Sequence, residues 1–315
     1  MGTPEFAVPV LERLIDSYGF GGKGVVGVVT VADKKKGRGQ KVSFSPVKEK
    51  ALELGISEDR IFQPTNLKDE SFAQSLASLE ADIFCIVAFR ILPESVFSLP
   101  KIASFNIHGS LLPKYRGAAP INWAVIKGEK KTGLTSFILQ KVVDTGNILL
   151  TKEIELGEET SAGQLHDSLM PLAADLAQET IDILLEGNYT PKPQIDSEAT
   201  PAPKIFKKDC QIDFSKDAQT VHNQIRGLSP YPAAFTTWDG KMVKVLGARV
   251  NSADPDLDPF KYKIINNKLI VGCLGRKSIE ILEIKPEGKK AMKVEDYLRG
   301  YRGEEDGRFE YLEID

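Results

Sequence analysis

Asn106 and His108 stand two residues apart in the segment Ser104–Trp123, SFNIHGSLLPKYRGAAPINW. In an extended strand that spacing puts both side chains on one face, with Phe105 and Ile107 on the other. The pair joins a neutral hydrogen-bonding amide to an imidazole, the side chain that titrates nearest neutral pH. Asp144 opens Asp-Thr-Gly just beyond a second predicted strand, Thr135–Val142. An amide, an imidazole and a carboxylate at two strand ends can hold a developing oxyanion, share a proton and orient the base. Against this, Asn106 and Asp144 can cap loops, and His108 can be a satisfied structural histidine. Three such residues at two strand ends favour chemistry over the structural reading.

Other arrangements carry less. Ser110 invites a Ser–His–Asp reading, but there is no GxSxG elbow, so it is expected to cap the following turn. His166 and His222 lie on predicted helices beside polar neighbours and read as surface positions. Gly19–Gly24 is a literal GxGxxG, yet it follows a helix and precedes a strand, the reverse of a dinucleotide site, and reads as a flexible turn. Gly128–Thr135 resembles a phosphate loop but has Leu134 where the lysine is needed. Cys85, Cys210 and Cys273 are scattered without a CxxC pair, which fits a reducing compartment and offers no metal site. Cys85, inside the apolar run 83–89, reads as a buried small hydrophobe.

The elements that must position these residues alternate. Thr3 is placed to cap a first helix with Pro4 at its first position, and Val8, Leu11, Leu14 and Ile15 mark its apolar face. Gly24–Val31, Ile83–Phe89, Ala103–His108 and Thr135–Val142 read as strands. Pro46–Leu54, Ser71–Leu79, Ala119–Lys127 and Thr160–Glu186 read as helices. Strands alternating with helices argue an α/β parallel sheet, whose ligands gather at strand C-terminal ends. Residues 187–203 hold four prolines and read as an extended linker. Beyond it come a helix, Ala218–Gly227, the turn SPYP, and short strands at Ala234–Trp238, Lys241–Ala248, Lys268–Val271 and Ile279–Ile284. A last helix is placed at Lys293–Arg299. Short strands broken by glycine suggest a small barrel. A helix led by GTP normally follows a first strand, so the native chain is expected to begin upstream of Met1.

The 315 residues suffice for two domains, and 42% hydrophobic with 27% charged content excludes global disorder. No apolar run approaches the roughly 18–20 residues of a membrane helix, and the N-terminus lacks a signal peptide's basic stretch. A soluble, cytoplasmic protein is expected. The net charge of −3 hides an uneven distribution. Lys204–Gly303 carries 19 Lys and Arg against 12 Asp and Glu, a net of +7. The loop Asp33–Lys41, DKKKGRGQK, carries five positive charges and one negative. Taken alone, such a run reads as a solvated loop.

FNIHGSLLPKYRGAAPINWAV together with VVDTGNI resembles the signature of folate-dependent formyltransferases. MGTPEFAVPVL, GRGQK…SPVK and PAPKI…RGLSPYPAAFT extend the resemblance over essentially the whole chain, toward the branch that formylates methionyl initiator tRNA. The resemblance implies a Rossmann-like parallel-sheet N-terminal formyltransferase domain, 1–187, a Pro-rich linker, 188–203, and a C-terminal OB-like β-barrel domain binding tRNA, 204–315. It implies that Asn106 and a protonated His108 hold the tetrahedral oxyanion formed from 10-formyltetrahydrofolate, while Asp144 orients His108 and helps remove the amine proton. Ser110, Leu111, Leu112 and Pro113 would line the folate site, and Val87, Ala88, Phe89 and Leu92 would contact the pterin. Lys34, Lys35, Lys36, Arg38 and Lys41 would approach the tRNA acceptor stem, with Arg38 at the key position. No metal, no covalent intermediate and a monomer are expected. The competing readings are an amino-sugar nucleotide formyltransferase, a non-catalytic RNA-binding protein and a hydrolase releasing formate from the folate.

Overall fold

The computed structural model describes residues 1–36, 41–251 and 256–311. The chain divides into two units. The first gathers residues 1–117, 132–154 and 166–202, and the second gathers 118–131, 155–165 and 203–315.

In the first unit, strand Ile83–Val87 pairs in parallel with strand Ala103–His108. Lys131–Ile138 then pairs antiparallel to Ala103–His108, and Ile148–Glu155 follows it in a four-stranded sheet. The parallel expectation holds for the strand pair that ends at the candidate site, and the sheet continues as a mixed one. Val28–Val29 pairs in parallel with Ile61–Phe62. The Met1–Gly2 backbone joins these two sheets, because Gly2 N donates to Val29 O and Val87 N donates to Met1 O. Beside it lies a cavity of about 250 Å³ whose lining includes Val10, Leu14, Val28, Leu76 and Ile83.

Helix Ala162–Glu186 covers the sheet with Leu169, Ala173, Leu176, Ala177, Thr180 and Leu184, all buried at helical spacing. Its buried Thr180 donates to the Leu176 carbonyl, and its Oγ1 lies 2.8 Å from Ser136 Oγ of the sheet. Thr3 caps nothing. Its hydroxyl is buried without a partner, and a short 3-10 turn, Glu5–Ala7, precedes helix Val8–Tyr18, which carries Pro9 in its first turn. The GxGxxG segment is a turn between that helix and the Val28 strand. Gly19, Gly21 and Gly22 have φ of 74°, 80° and 56°, a left-handed backbone that glycine adopts without cost.

The second unit is a curled antiparallel sheet. Strands Ala234–Trp238, Lys241–Asn251, Ser278–Pro286, Lys268–Gly272, Lys261–Ile265 and Asp306–Arg308 neighbour one another in that order. A single bridge, with Glu310 N donating to Thr237 O, stitches the last stretch back to the first strand. Phe214, fully buried, packs against Phe260 and Phe309 with ring centroids at 5.6 Å from each. Trp238 packs on Tyr262, Tyr297, Tyr301 and Phe309.

Helix Ala218–Leu228 is capped by Asp217, which accepts from Thr220 N at 3.0 Å. His222 corrects the surface reading. It sits four residues after Ala218, one after Val221 and three before Ile225, which places it on the buried helix face. Its Nε2 lies 3.2 Å from Glu159 Oε2. His166 remains half-exposed, beside Asp167. Among the described residues, no helix is long and apolar enough to cross a membrane.

Candidate functional site

Strand Ala103–His108 runs as read from the sequence, and its alternation does the sorting. Phe105 and Ile107 are buried on one face. Asn106 and His108 share the other. Asn106 Oδ1 is buried with no hydrogen-bond partner, so the fold leaves this end of the amide unclaimed. A buried polar atom of that kind is costly unless something else satisfies it.

His108 is held from two sides. Its Nε2 lies 2.8 Å from the Tyr115 carbonyl. A carbonyl only accepts, so Nε2 carries the hydrogen and Nδ1 is the open nitrogen. Nδ1 faces Asp144 Oδ2 at 3.9 Å, beyond hydrogen-bonding distance but close enough for two charges to feel each other. The ring stands edge-on to Phe137 at 6.5 Å.

The antiparallel register sets His108 opposite Thr135. Thr135 Oγ1 donates to Ser110 O and accepts from Leu112 N, which fixes the turn leaving the strand. Ser110 Oγ donates to Lys114 O at 2.6 Å, closing the same turn. That hydroxyl is consumed by the turn and is no nucleophile.

Asp144 lies further from its strand than the sequence suggests. The strand ends at Ile138, and Lys141, Val142 and Val143 leave the sheet for solvent. The loop returns where Ile138 N donates to Asn147 O. Asp144 is buried in this loop at φ 57°, a conformation that aspartate tolerates better than most residues. Its Oδ2 accepts from Gly117 N at 2.9 Å. A Cβ at Gly146 would run into the Ile138 carbonyl, so the loop closes this tightly only with glycine there.

The strand-end residues expected to line a ligand site divide by depth. Ile86 and Val87 pair with Asn106 and Ile107, which sets Ala88 at the end of the strand beside His108. Val87 and Leu92 are buried, and Leu92 packs in a cluster with Val29, Phe84 and Val96. Ala88 is exposed at φ 47°, and Phe89 lies half-buried under the Arg90 guanidinium at 5.5 Å. Arg90 donates to the Pro64 and Thr65 carbonyls, and its Nε is buried without a partner. Leu112 is buried, Leu111 and Pro113 are half-buried, and Leu111 lies against Gly133. The unpartnered amide oxygen, the open imidazole nitrogen and these adjoining strand ends give a polar centre walled by apolar side chains.

Lys34 is exposed on an antiparallel hairpin in which Lys34, Lys35 and Lys36 pair with Ser43, Val42 and Lys41. Arg38 lies outside the described residues. The base of the hairpin is fixed by a nearly buried Lys48, whose Nζ donates to Asp33 Oδ2 at 2.6 Å and Gln63 Oε1 at 2.8 Å. Desolvation works against the Asp33 carboxylate, but hydrogen bonds from Lys48 and Gln63 hold it below the usual carboxylate range.

Sequence reading does not single out Thr135, Tyr115, Arg116, Gly117, Gln194 or Thr200. Tyr115–Gly117 sit inside the quoted segment, which is a usable signal. Gln194 and Thr200 sit in the Pro-rich stretch, where nothing in residue type or spacing marks them. None of Asn106, His108 and Asp144 lines the 250 Å³ cavity. Among the described residues, no cluster of three or more His, Cys, Asp and Glu side chains could hold a metal ion.

Comparison with known proteins identifies the family. Residues 1–181 match the family model for formyl transferases, and residues 204–302 match the model of the formyl transferase C-terminal domain. The chain is 45% identical over 303 residues to the methionyl-tRNA formyltransferase of Caldanaerobacter subterraneus subsp. tengcongensis, covering 96% of both chains. It is 43% identical over 302 residues to that of Clostridium novyi, covering 95% of both. Among solved structures, a sugar 3N-formyltransferase crystallised with dTDP and 5-N-formyl-tetrahydrofolate shares the fold. Its TM-score is 0.67 at 18% identity, over 92% of this chain and 97% of the other.

Proposed function

The chain belongs to the formyl transferase family, and on that premise we propose that it formylates the α-amino group of methionyl initiator tRNA, with 10-formyltetrahydrofolate as donor. The observation that carries the acceptor is the near-full-length likeness to methionyl-tRNA formyltransferases. The amine attacks the formyl carbon and negative charge develops on the formyl oxygen. Collapse breaks the bond from carbon to folate N10, and tetrahydrofolate leaves as the proton lost by the amine is returned to N10. Asn106 would donate an Nδ2–H to the formyl oxygen, while its own Oδ1 is buried without a partner. His108, with Nε2–H fixed on Tyr115, adds positive charge when Nδ1 is protonated. Asp144, 3.9 Å away, balances that charge, orients the ring and is placed to help remove the amine proton.

Val87–Phe89, Leu92 and Ser110–Pro113 would hold the folate, chiefly through strand-end backbone and apolar walls. Lys34–Lys36, Arg38 and Lys41 would grip phosphate, as would the segment Lys204–Gly303 with its net +7. The reaction would serve initiation of translation in the cytoplasm, carried out by a monomer.

The test is a panel of acceptors with purified protein and 10-formyltetrahydrofolate: charged initiator tRNA, an amino-sugar nucleotide, and no acceptor. N-formylmethionine from the tRNA arm alone is expected. Product from the sugar arm alone, or formate without any acceptor, would overturn the reading.

A further inference from the structure

The Pro-rich stretch between the two matched family segments is tied to the Asp144 loop and to Tyr115–Gly117, the segment that follows the Asn106–His108 strand. Lys192 exchanges two backbone hydrogen bonds with Ile148, each 2.8 Å. Pro201–Ala202 pairs in parallel with Arg116–Gly117. A Cβ at Gly117 would stand 2.5 Å from the Ala202 carbonyl, so the two backbones pass very close to each other. Residues 192–202 form a strap fixed at several points.

Two side-chain anchors on this strap reach the chemistry. Thr200 Oγ1 accepts from Tyr115 N at 2.9 Å, and Thr200 O accepts from Arg116 N at 2.9 Å. Tyr115 itself is buried at φ 62°, a backbone that a bulky residue keeps only when its surroundings hold it there. Its carbonyl is the acceptor that fixes the hydrogen of His108 on Nε2. Gln194 Nε2 donates to the carbonyls of Asp144 and Gly146 at 3.0 and 2.8 Å. Its Oε1 accepts from Arg116 Nε and Nη2 at 3.0 and 2.8 Å. Both amide hydrogens and both acceptor positions of Gln194 are used, so the side chain has one orientation. It clamps the Asp144 loop to the residue next to Tyr115.

We propose that Gln194 and Thr200 are positioning residues, which set the His108 tautomer and the His108–Asp144 distance through Tyr115 O and the Asp144 loop. This rests on the formyl-transfer reading above for its kinetic consequence, but not for its structural one. The polar groups of both side chains are spent on Tyr115, Arg116 and the Asp144 loop, so losing either should slow turnover while leaving substrate binding intact.

The experiment compares Gln194→Ala, Thr200→Val and Thr200→Ser with the wild type by kinetics and by ¹⁵N NMR of the imidazoles. The chain has 3 histidines, so the His108 resonances are assignable by their disappearance in His108→Ala. The wild type is expected to show a protonated Nε2 and an unprotonated Nδ1 at alkaline pH. In Gln194→Ala and Thr200→Val the His108 nitrogens should move toward tautomer averaging. For these two variants kcat should fall roughly tenfold to a hundredfold, with KM for both substrates within about threefold. Thr200→Ser should restore both signals and rate. Wild-type turnover in both variants, or slower turnover with unmoved His108 nitrogens, would overturn the proposal. If the wild type transfers no formyl group, the NMR arm still decides whether the strap sets the ring.

Discussion

Asp144→Asn separates the charge of the site from its shape. The His108 and Asp144 side chains are 7% and 10% exposed, so their interaction is weakly screened by solvent. Across 3.9 Å at an effective dielectric of about 20, a carboxylate attracts a protonated imidazole by about 4 kcal/mol. Relaxation and the open side of the site reduce this to about 2–4 kcal/mol. Asparagine keeps an oxygen for the Gly117 N–H, so the loop's own hydrogen bond survives. The effect therefore falls on the charged state of His108 during transfer, which corresponds to a rate lower by roughly 30-fold to 1,000-fold. Single-turnover formyl transfer with both substrates saturating is the assay, with thermal unfolding measured alongside. Melting within about 3 °C of wild type is expected, since no buried partner is orphaned. A rate within threefold of wild type would refute the electrostatic role assigned to Asp144.

Other expectations concern stability, thiols and the acceptor. Phe214→Ala should cost about 3–5 kcal/mol, read as a lower urea midpoint for the second unit, because the ring is fully buried between Phe260 and Phe309. A cost under about 1 kcal/mol would mean that this cluster is not the core described. Burial pushes the Cys85 thiol up to about 11 and the Cys273 thiol up to about 12. At pH 8 only about one Cys85 in a thousand is a thiolate, so alkylation should be slow natively and fast in denaturant. Rapid modification of either in the native protein would contradict this. Replacing Lys34, Lys35, Lys36, Arg38 and Lys41 together by alanine should raise KM for tRNA without changing that for folate. It should also flatten the log–log salt dependence of tRNA affinity by about 0.7–0.9 for each phosphate that is no longer neutralised. An unchanged slope would remove this loop from the tRNA surface.

The catalytic strand is legible because alternation is local: two residues apart means one face, whatever the rest of the fold does. The Asp144 loop is less so. The apolar run Thr135–Val142 reads as strand throughout, yet the sheet releases it at Ile138 and exposes Val142 and Val143. Strand Ile148–Glu155 is hard to see because only Leu149 is buried and the rest alternates half-buried and exposed positions through a threonine and charged residues. His222 misleads because its polar neighbours Gln219 and Asn223 share its side of the helix, Gln219 Nε2 lying 3.4 Å from its Nδ1 and Asn223 being buried. The strap is the least visible. Prolines between two predicted domains suggest a spacer, and only the partners of Gln194 and Thr200 in space reveal a clamp. Residues 118–131 and 155–165 group with the second unit although they precede the Pro-rich stretch, a grouping that depends on long-range packing no local pattern encodes.

His108→Ala in a single-turnover assay, with radiolabelled 10-formyltetrahydrofolate and charged initiator tRNA, tests the site and the activity together. The wild type should yield N-formylmethionyl-tRNA. The variant, folded and still binding folate, should be slower by about 10²-fold to 10⁴-fold, the range expected when an acid–base group is removed. Formylation by the variant within a few-fold of wild type, or none by the wild type itself, would contradict the assignment.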